Sequence, residues 1–282
     1  MTYALLDSGA GRKLEQVGPY LVDRQAPVAH WQPRLGPDTW KRADAVHVRS
    51  ERGGGHWDVR RELPDSWPVE LSGITLLAKL TPFGHMGLFP EHAVHWEWLA
   101  EIAAQSADDP PLEVLNLFAY TGGPTLACAR AGMRVTHVDA AHGVVDWAKA
   151  NAEHQPSRVA PIRWIVDDCG GFARRELRRG RRYDGVLLDP PSFGRGPRGN
   201  VFKIETDIGA LLDQCAELLS DRPRFVLFTC HSPGFSPLVL ENLLGERLDR
   251  RGARVESAEM VVSDAGLARP LPAGSYCRWR WE

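Results

Sequence analysis

The chain has 282 residues, 43% hydrophobic and 25% charged, with a formal net charge of −2. These proportions exclude a disordered or low-complexity chain and suit one large domain with a small companion. No apolar run reaches the roughly 20 residues of a bilayer-spanning helix, and the five scattered cysteines (Cys128, Cys169, Cys215, Cys230, Cys277) form neither a disulfide framework nor a zinc motif. Met1 to Asp7 lacks a basic region followed by an apolar core, so a cytoplasmic enzyme is expected, with no membrane partner and no metal. The near-neutral charge leaves any nucleic-acid partner to local basic clusters.

Residues 1–80 are rich in Pro, Gly, Arg and Trp and read as a small β-rich module. Ala45–Val48 and His56–Val59 are its candidate strands, separated by the turn signal Gly53-Gly54-Gly55, and Gly73–Leu80 is a further strand. Gly9 to Glu15 reads as an exposed basic turn. The module suits RNA docking or dimer formation equally.

Residues 81–282 alternate between strand and helix periodicity. His92–Ala104 is a helix with Val94, Trp98, Leu99 and Ile102 at core spacing, stopped by Asp109-Pro110-Pro111. Glu113–Phe118 is a nearly continuous apolar strand, as expected for one buried on both faces of a parallel sheet. Helix Pro124–Ala131, strand Arg134–Val138, helix Val144–Ala152, strand Arg163–Val166 and helix Gly171–Arg179 follow. Next come strand Asp184–Leu188, helix Ile208–Leu219, strand Arg224–Thr229 and helix Pro237–Arg251. Strands Arg254–Val262 and Ser275–Trp281 have no helix between them and read as a closing antiparallel pair. The pattern predicts an α/β fold: a doubly wound, mostly parallel, seven-stranded, Rossmann-like sheet.

In such a sheet a ligand lies beyond the carboxyl ends of the strands. The first strand leads into Asn116-Leu117-Phe118-Ala119-Tyr120-Thr121-Gly122-Gly123-Pro124. Paired glycines let a ligand approach the backbone, but the loop is not G-x-G-x-x-G and Pro124 removes an N–H that a pyrophosphate would need. A nucleoside without a diphosphate fits better. Asp139, about 20 positions on, stands where a ribose diol is gripped, or caps the next helix. Asp168, after Asp167, is placed either to accept from a purine amine or to cap a helix. Asp189-Pro190-Pro191-Ser192-Phe193 is the most specific motif. Its prolines hold a carboxylate and carbonyls rigidly at the sheet edge, and Phe193 can stack on a planar substrate, worth about 1–3 kcal/mol per base.

Taken together, Val114–Gly123, Val135–Ala140 and Leu188–Gly196 resemble class I methyltransferases, and more narrowly the bacterial 23S rRNA large-subunit methyltransferases that modify cytosine C5 or guanine N2. The resemblance covers residues 81–235. It implies S-adenosylmethionine as cofactor, leaving as S-adenosylhomocysteine, held by Asn116, Phe118, Tyr120, Gly122, Asp139, Asp168 and Asp189, with Thr121, Gly123, Ala140 and Cys169 beside them. A segment that closes over the cofactor in the family matches Gly84–Glu91 and contributes Phe89. The family commonly has Asp-Gln-Arg where this chain has Pro90-Glu91-His92. His92 and His95 lie one helical turn apart and read as a helix surface.

The acceptor atom decides the chemistry. An amine needs Asp189 and the Pro190 carbonyl to hold its N–H groups. Cytosine C5 needs a thiolate to add at C6 first. Cys230, in Thr229-Cys230-His231-Ser232, is either that nucleophile or a buried structural thiol. Arg195, Arg198 and Lys203 follow the Asp189 motif and are expected to meet substrate. The Arg174–Arg182 run reads instead as a solvated helix end. An RNA base is the leading substrate, from a flipped or single-stranded nucleotide. A small molecule or protein side chain is the alternative, and a non-catalytic cofactor-binding module the third reading.

Overall fold

The computed structural model describes residues 2–50, 53–106, 110–196, 199–249, 251–263 and 269–282. Arg198 and Asp109 lie outside the described residues. The chain divides into two compact units, Met1–Ala93 with Val261–Pro272, and Val94–Met260 with Ala273–Glu282.

In the first unit, β1 (Tyr3–Gly9), β2 (Arg12–Val17), β3 (Tyr20–Gln25), β4 (Ala45–Arg49) and β5 (Gly55–Val59) form one sheet in that order. The β3–β4 pair is parallel and needs a crossover, which carries the short helix α1 (Pro37–Trp40). Buried Asp7 organises that crossover by accepting from the Leu35 amide at 2.8 Å and Trp40 Nε1 at 3.1 Å. A separate hairpin pairs β6 (Trp67–Leu71) with β7 (Ile74–Ala78). Arg12 and Lys13 stand in β2 and are not an exposed turn. Arg12 bonds Asp23 at 2.6 Å, and Lys13 bonds Glu15 at 3.1 Å.

Glu15 is fully buried at the centre of a charged cluster. Arg24 clasps both its oxygens at 2.6 and 2.8 Å, and the Tyr3 hydroxyl donates at 2.8 Å. Burial alone would raise its pKa. Arg24 and Lys13 outweigh that and bring it from 4.5 to about 2.

The second unit is built on a sheet in the order β10-β9-β8-β11-β14-β16-β15. These strands are β8 (Glu113–Leu117), β9 (Arg134–Asp139), β10 (Ile162–Val166), β11 (Gly185–Leu188), β14 (Phe225–Cys230), β15 (Ala253–Val262) and β16 (Leu271–Trp281). Between β11 and β14 runs a hairpin absent from the sequence reading, β12 (Phe193–Arg195) with β13 (Val201–Lys203). Two runs of three residues carry no periodicity. β8 pairs in parallel with β9 and β11, whereas β16 runs antiparallel to β14. The helices are α2 (Ala93–Gln105), α3 (Gly123–Arg130), α4 (His142–Glu153), α5 (Cys169–Arg178), α6 (Ile204–Leu218) and α7 (Pro237–Gly245).

Period-two alternation sorts side chains onto the two faces. In β14, Phe225 and Leu227 join the cluster of Leu99 and Cys128 from α2 and α3, whereas Val226, Phe228 and Cys230 join that of α5, α6 and α7. All five cysteines are buried. The buried face of α2 is His95, Trp96, Leu99 and Ile102, and Val94 is exposed. His92 and His95 are therefore buried, not a helix surface. The Arg278 guanidinium holds His95 inward, donating to His95 Nδ1 at 2.8 Å and to the Val94 carbonyl at 2.8 Å, and the His92 ring packs edge-on against Phe89, 6.1 Å between ring centres.

Glu15→Gln is expected to cost about 3–5 kcal/mol, because it leaves Arg24 and Lys13 buried without their counter-charge. With the folded pKa depressed, the contribution of Glu15 is complete above pH 4.5 and is lost as pH falls towards about 2. Urea denaturation from pH 7 to 3 checks both: the wild type loses stability across the acid range, and the variant loses less.

Candidate active site

Strand pairing lines up the tips from which the site is built. Leu117 stands opposite Val138 in β9 and Leu188 in β11, Val166 pairs with Asp139, and Leu188 pairs with Phe228. The residues that follow, Phe118, Asp139 with Asp167 and Asp168, Asp189 and Cys230, therefore emerge along one edge. Winding reverses between β8 and β11, where a doubly wound sheet opens a crevice.

The loop after β8 has an unusual backbone. Phe118, Tyr120 and Gly122 are left-handed, at φ 54°, 48° and 87°. These left-handed residues curl the loop back on itself, so that its amides bond within the protein, Ala119 to the Val138 carbonyl and Gly122 to the Ala119 carbonyl, each at 3.0 Å. Several contacts hold it. The Tyr120 amide donates to Asp139 Oδ2 at 2.9 Å, Asn151 Nδ2 donates to the Thr121 carbonyl at 2.8 Å, and the Phe118 amide meets Cys169 Sγ at 3.3 Å. Close packing fixes the glycines. A Cβ on Gly122 would come within 3.3 Å of Ala148, and one on Gly123 within 2.9 Å of the Trp96 ring.

Beneath the loop lies a buried polar chain. Asn116 Nδ2 donates to Thr125 Oγ1 at 2.9 Å, leaving the Thr125 hydroxyl to donate to His137 Nδ1 at 2.9 Å. Burial lowers the His137 pKa to about 3, so the ring is neutral. Asn116 thus acts inside the sheet, bracing the helix that follows the loop.

Asp139 does not cap α4, whose N-cap is Ala141. Its Oδ1 accepts the Ala141 amide at 3.0 Å, and Ala140 lies between them. Burial raises its pKa, while the Ala141, Tyr120 and Ala140 amides oppose the rise. Three amides against about four lone-pair sites leave the carboxylate some acceptor capacity for a further donor. Asp168 does cap α5, accepting from the Gly171 amide at 2.7 Å, and Asp167 pairs with Arg175. The rest of the basic run is a solvated helix end: Arg174, Arg178, Arg179, Arg181 and Arg182 are exposed, Arg179 reaching the buried Glu176 at 2.9 Å, where Arg163 of β10 and Tyr183 also bond at 2.8 and 2.7 Å.

At the fourth tip, the Asp189 amide donates to the Leu117 carbonyl at 3.4 Å and His231 Nε2 lies 3.6 Å from Asp189 Oδ2. Ser192 and Ser232 hydroxyls bond at 2.6 Å, tying the Pro190-Pro191 segment to the β14 tip. Cys230 is 1% exposed, and burial raises its pKa. The hairpin carries Phe193, 51% exposed, with the Arg195 guanidinium 5.9 Å from its ring centre, and exposed Lys203. On its other face Phe202 packs on Phe118, 5.0 Å between ring centres. Phe89 belongs to the first unit, where it precedes the 3-10 turn Pro90–His92 and packs on the His85 ring.

A tightly curled glycine loop, a half-shielded carboxylate beside it and a rigid Asp-Pro-Pro one strand away, on this strand order, define a class I methyltransferase. The S-adenosylmethionine-dependent methyltransferase model matches residues 49–255, and the chain belongs to that family, with S-adenosylmethionine as cofactor. A crystal structure of an S-adenosylmethionine-dependent methyltransferase from Agrobacterium tumefaciens superposes with TM-score 0.94 at 40% identity, over 100% of this chain and 91% of that one. Ribosomal RNA large subunit methyltransferase K/L of Pseudoalteromonas atlantica is 30% identical over 68% of this chain and 24% of its own length. Methyltransferase K of Neisseria meningitidis is 26% identical over 70% of this chain and 53% of its length. The chain thus spans about a quarter to a half of these curated relatives.

Gly122→Ala is expected to destabilise the unit by about 1–3 kcal/mol through left-handed strain and to weaken cofactor binding at least tenfold. Calorimetric titration with S-adenosylhomocysteine, alongside thermal denaturation, checks both. Unchanged affinity would remove this loop from the cofactor site.

Proposed function

We propose that the enzyme methylates an exocyclic amine of a base in ribosomal RNA, in the cytoplasm. The observation that carries this reading is the β12–β13 hairpin beside Asp189-Pro190-Pro191. It offers a half-exposed phenylalanine, a guanidinium and an ammonium on one small face, the pairing of stacking surface and phosphate-seeking charge that unpaired RNA requires. The curated relatives named for the ribosomal large subunit support it.

The cofactor fits the residues at the first three tips. The close-packed backbone of Gly122–Gly123 and the remaining acceptor capacity of Asp139 suit a nucleoside with a free diol. Asn116 and Thr121 brace the loop, Cys169 and Ala140 line its flanks, and Asp168 stands ready for the purine amine. Phe89 is assigned to the cofactor on the resemblance. When bound, the cofactor supplies a methyl group on a sulfonium for in-line displacement.

This chain's own residues hold and align the acceptor. The Asp189 carboxylate and Pro190 carbonyl accept the N–H groups of the amine. Pro191 and the Ser192–Ser232 bond keep these acceptors from moving. Phe193 stacks on the base, and Arg195 and Lys203 meet the flanking phosphates. Cys230 favours this route over cytosine C5. Strand alternation sends its thiol into the α5–α7 core with Val226 and Phe228, and burial keeps the proton on sulfur.

Mass mapping of ribosomal RNA modifications in cells with and without the gene tests the reading; the expected loss is one N-methylated guanine. Asp189→Asn is expected to lower kcat by about 100-fold or more, as for loss of a group aimed at the reacting centre. Cys230→Ala is expected to keep at least half the activity. A lost 5-methylcytosine, or an inactive Cys230→Ala enzyme that still folds, would replace the amine with C5.

A further inference from the structure

The turn Thr81-Pro82-Phe83-Gly84 in the first unit has no part in the reading above, yet it is held with great care. The Thr81 carbonyl accepts from Trp57 Nε1 at 2.7 Å and from the Gly84 amide at 3.0 Å. His47 Nε2 donates to the Pro82 carbonyl at 3.1 Å, and Arg24 Nη1 to the Gly84 carbonyl at 2.8 Å. The Thr81 hydroxyl closes the far side on the His85 carbonyl at 2.7 Å. Gly84 is left-handed at φ 80°, and a Cβ there would meet His47 Nδ1 at 2.9 Å. His47 and Arg24 are themselves buried, and Pro82 locks its own φ. Side chains from β3, β4 and β5 therefore fix three of the four carbonyls or residues of this turn.

What the turn displays is Phe83, 72% exposed, more than any other large hydrophobic residue among those described. A scattered exposed apolar residue ordinarily needs no explanation. A rigidly mounted one is different, because the backbone that carries it is already ordered on folding and a partner does not bear that cost. The ring also has a backing. A Cβ built on Gly54, at the end of the β4–β5 hairpin, would lie 3.7 Å from Cδ1 and Cε1 of Phe83. The exposed residues nearest in the chain or in the Gly54 hairpin are Pro82, His85, Val48, Arg49, Ser50 and His56, mostly polar or cationic. That composition suits a nucleotide and not the apolar centre of a protein interface.

We infer that Phe83 is a second stacking platform, taking an unpaired base of the RNA substrate away from the methylated one. The inference rests on the RNA reading above. It makes Phe83 a substrate-binding residue of the first unit, outside the cofactor and acceptor machinery.

The test uses the full chain and an unmodified large-subunit rRNA transcript, with wild type, Phe83→Ala and Phe83→Trp. Phe83→Ala should raise KM for the transcript about 10- to 100-fold, the range of one lost base stack. It should leave kcat within about twofold and the affinity for S-adenosylhomocysteine unchanged. Phe83→Trp, which keeps a stacking face, should return KM to within about threefold of wild type. An RNA-active wild type with unchanged KM in Phe83→Ala would overturn this inference alone. So would a wild-type dimer by sedimentation that Phe83→Ala dissociates, since the ring would then serve a second copy. A wild type that neither retains nor methylates RNA would overturn it together with the RNA reading.

Discussion

The hydrogen bond from the Tyr120 amide to the Asp139 carboxylate is the constraint on which the methyltransferase site depends. Two non-glycine residues in the loop after β8 adopt left-handed backbone, each at a cost of about 1–2 kcal/mol. A hydrogen bond to a charged group contributes about 1.5–3 kcal/mol, enough to offset much of that strain. The Asn151 and Cys169 contacts cover the rest. The same carboxylate is thereby partly desolvated and oriented, with acceptor capacity left for a further donor. Loop shape and ligand-binding capacity are thus two results of one interaction.

Parallel pairing extends this constraint across the sheet. Because β8 is hydrogen-bonded to both β9 and β11 in register, a residue past the end of one strand necessarily stands beside a residue past the end of the next. Asp189 reaches the crevice this way, and the Ser192–Ser232 bond ties its proline segment to the tip of β14. Phe202 against Phe118 then joins the β12–β13 hairpin to the loop after β8 through one aromatic contact.

Charge is used differently in the two units. In the first, Glu15, Arg24 and Lys13 are buried together and serve as internal structure. In the second, the buried Glu176 is held by Arg163 and Arg179, whose guanidinium groups stay exposed. The β12–β13 hairpin adds two further exposed cations, Arg195 and Lys203.

The sheet strands, the helices between them and the strand-tip residues Gly122, Asp139 and Asp189 were all legible in the sequence. Buried parallel strands are continuous apolar runs, and glycine and proline mark their ends. The hairpin from Phe193 to Lys203 and the strands Tyr3–Gly9, Arg12–Val17 and Tyr20–Gln25 were not, because short or mixed-polarity strands acquire their pairing only from partners distant in sequence. Burial of His92 and His95, the cap on Asp168 and the orientation of Cys230 into the core were likewise decided by the tertiary structure. A polar side chain's role is set by which donors, acceptors and apolar groups the fold brings to it, and that information is not local.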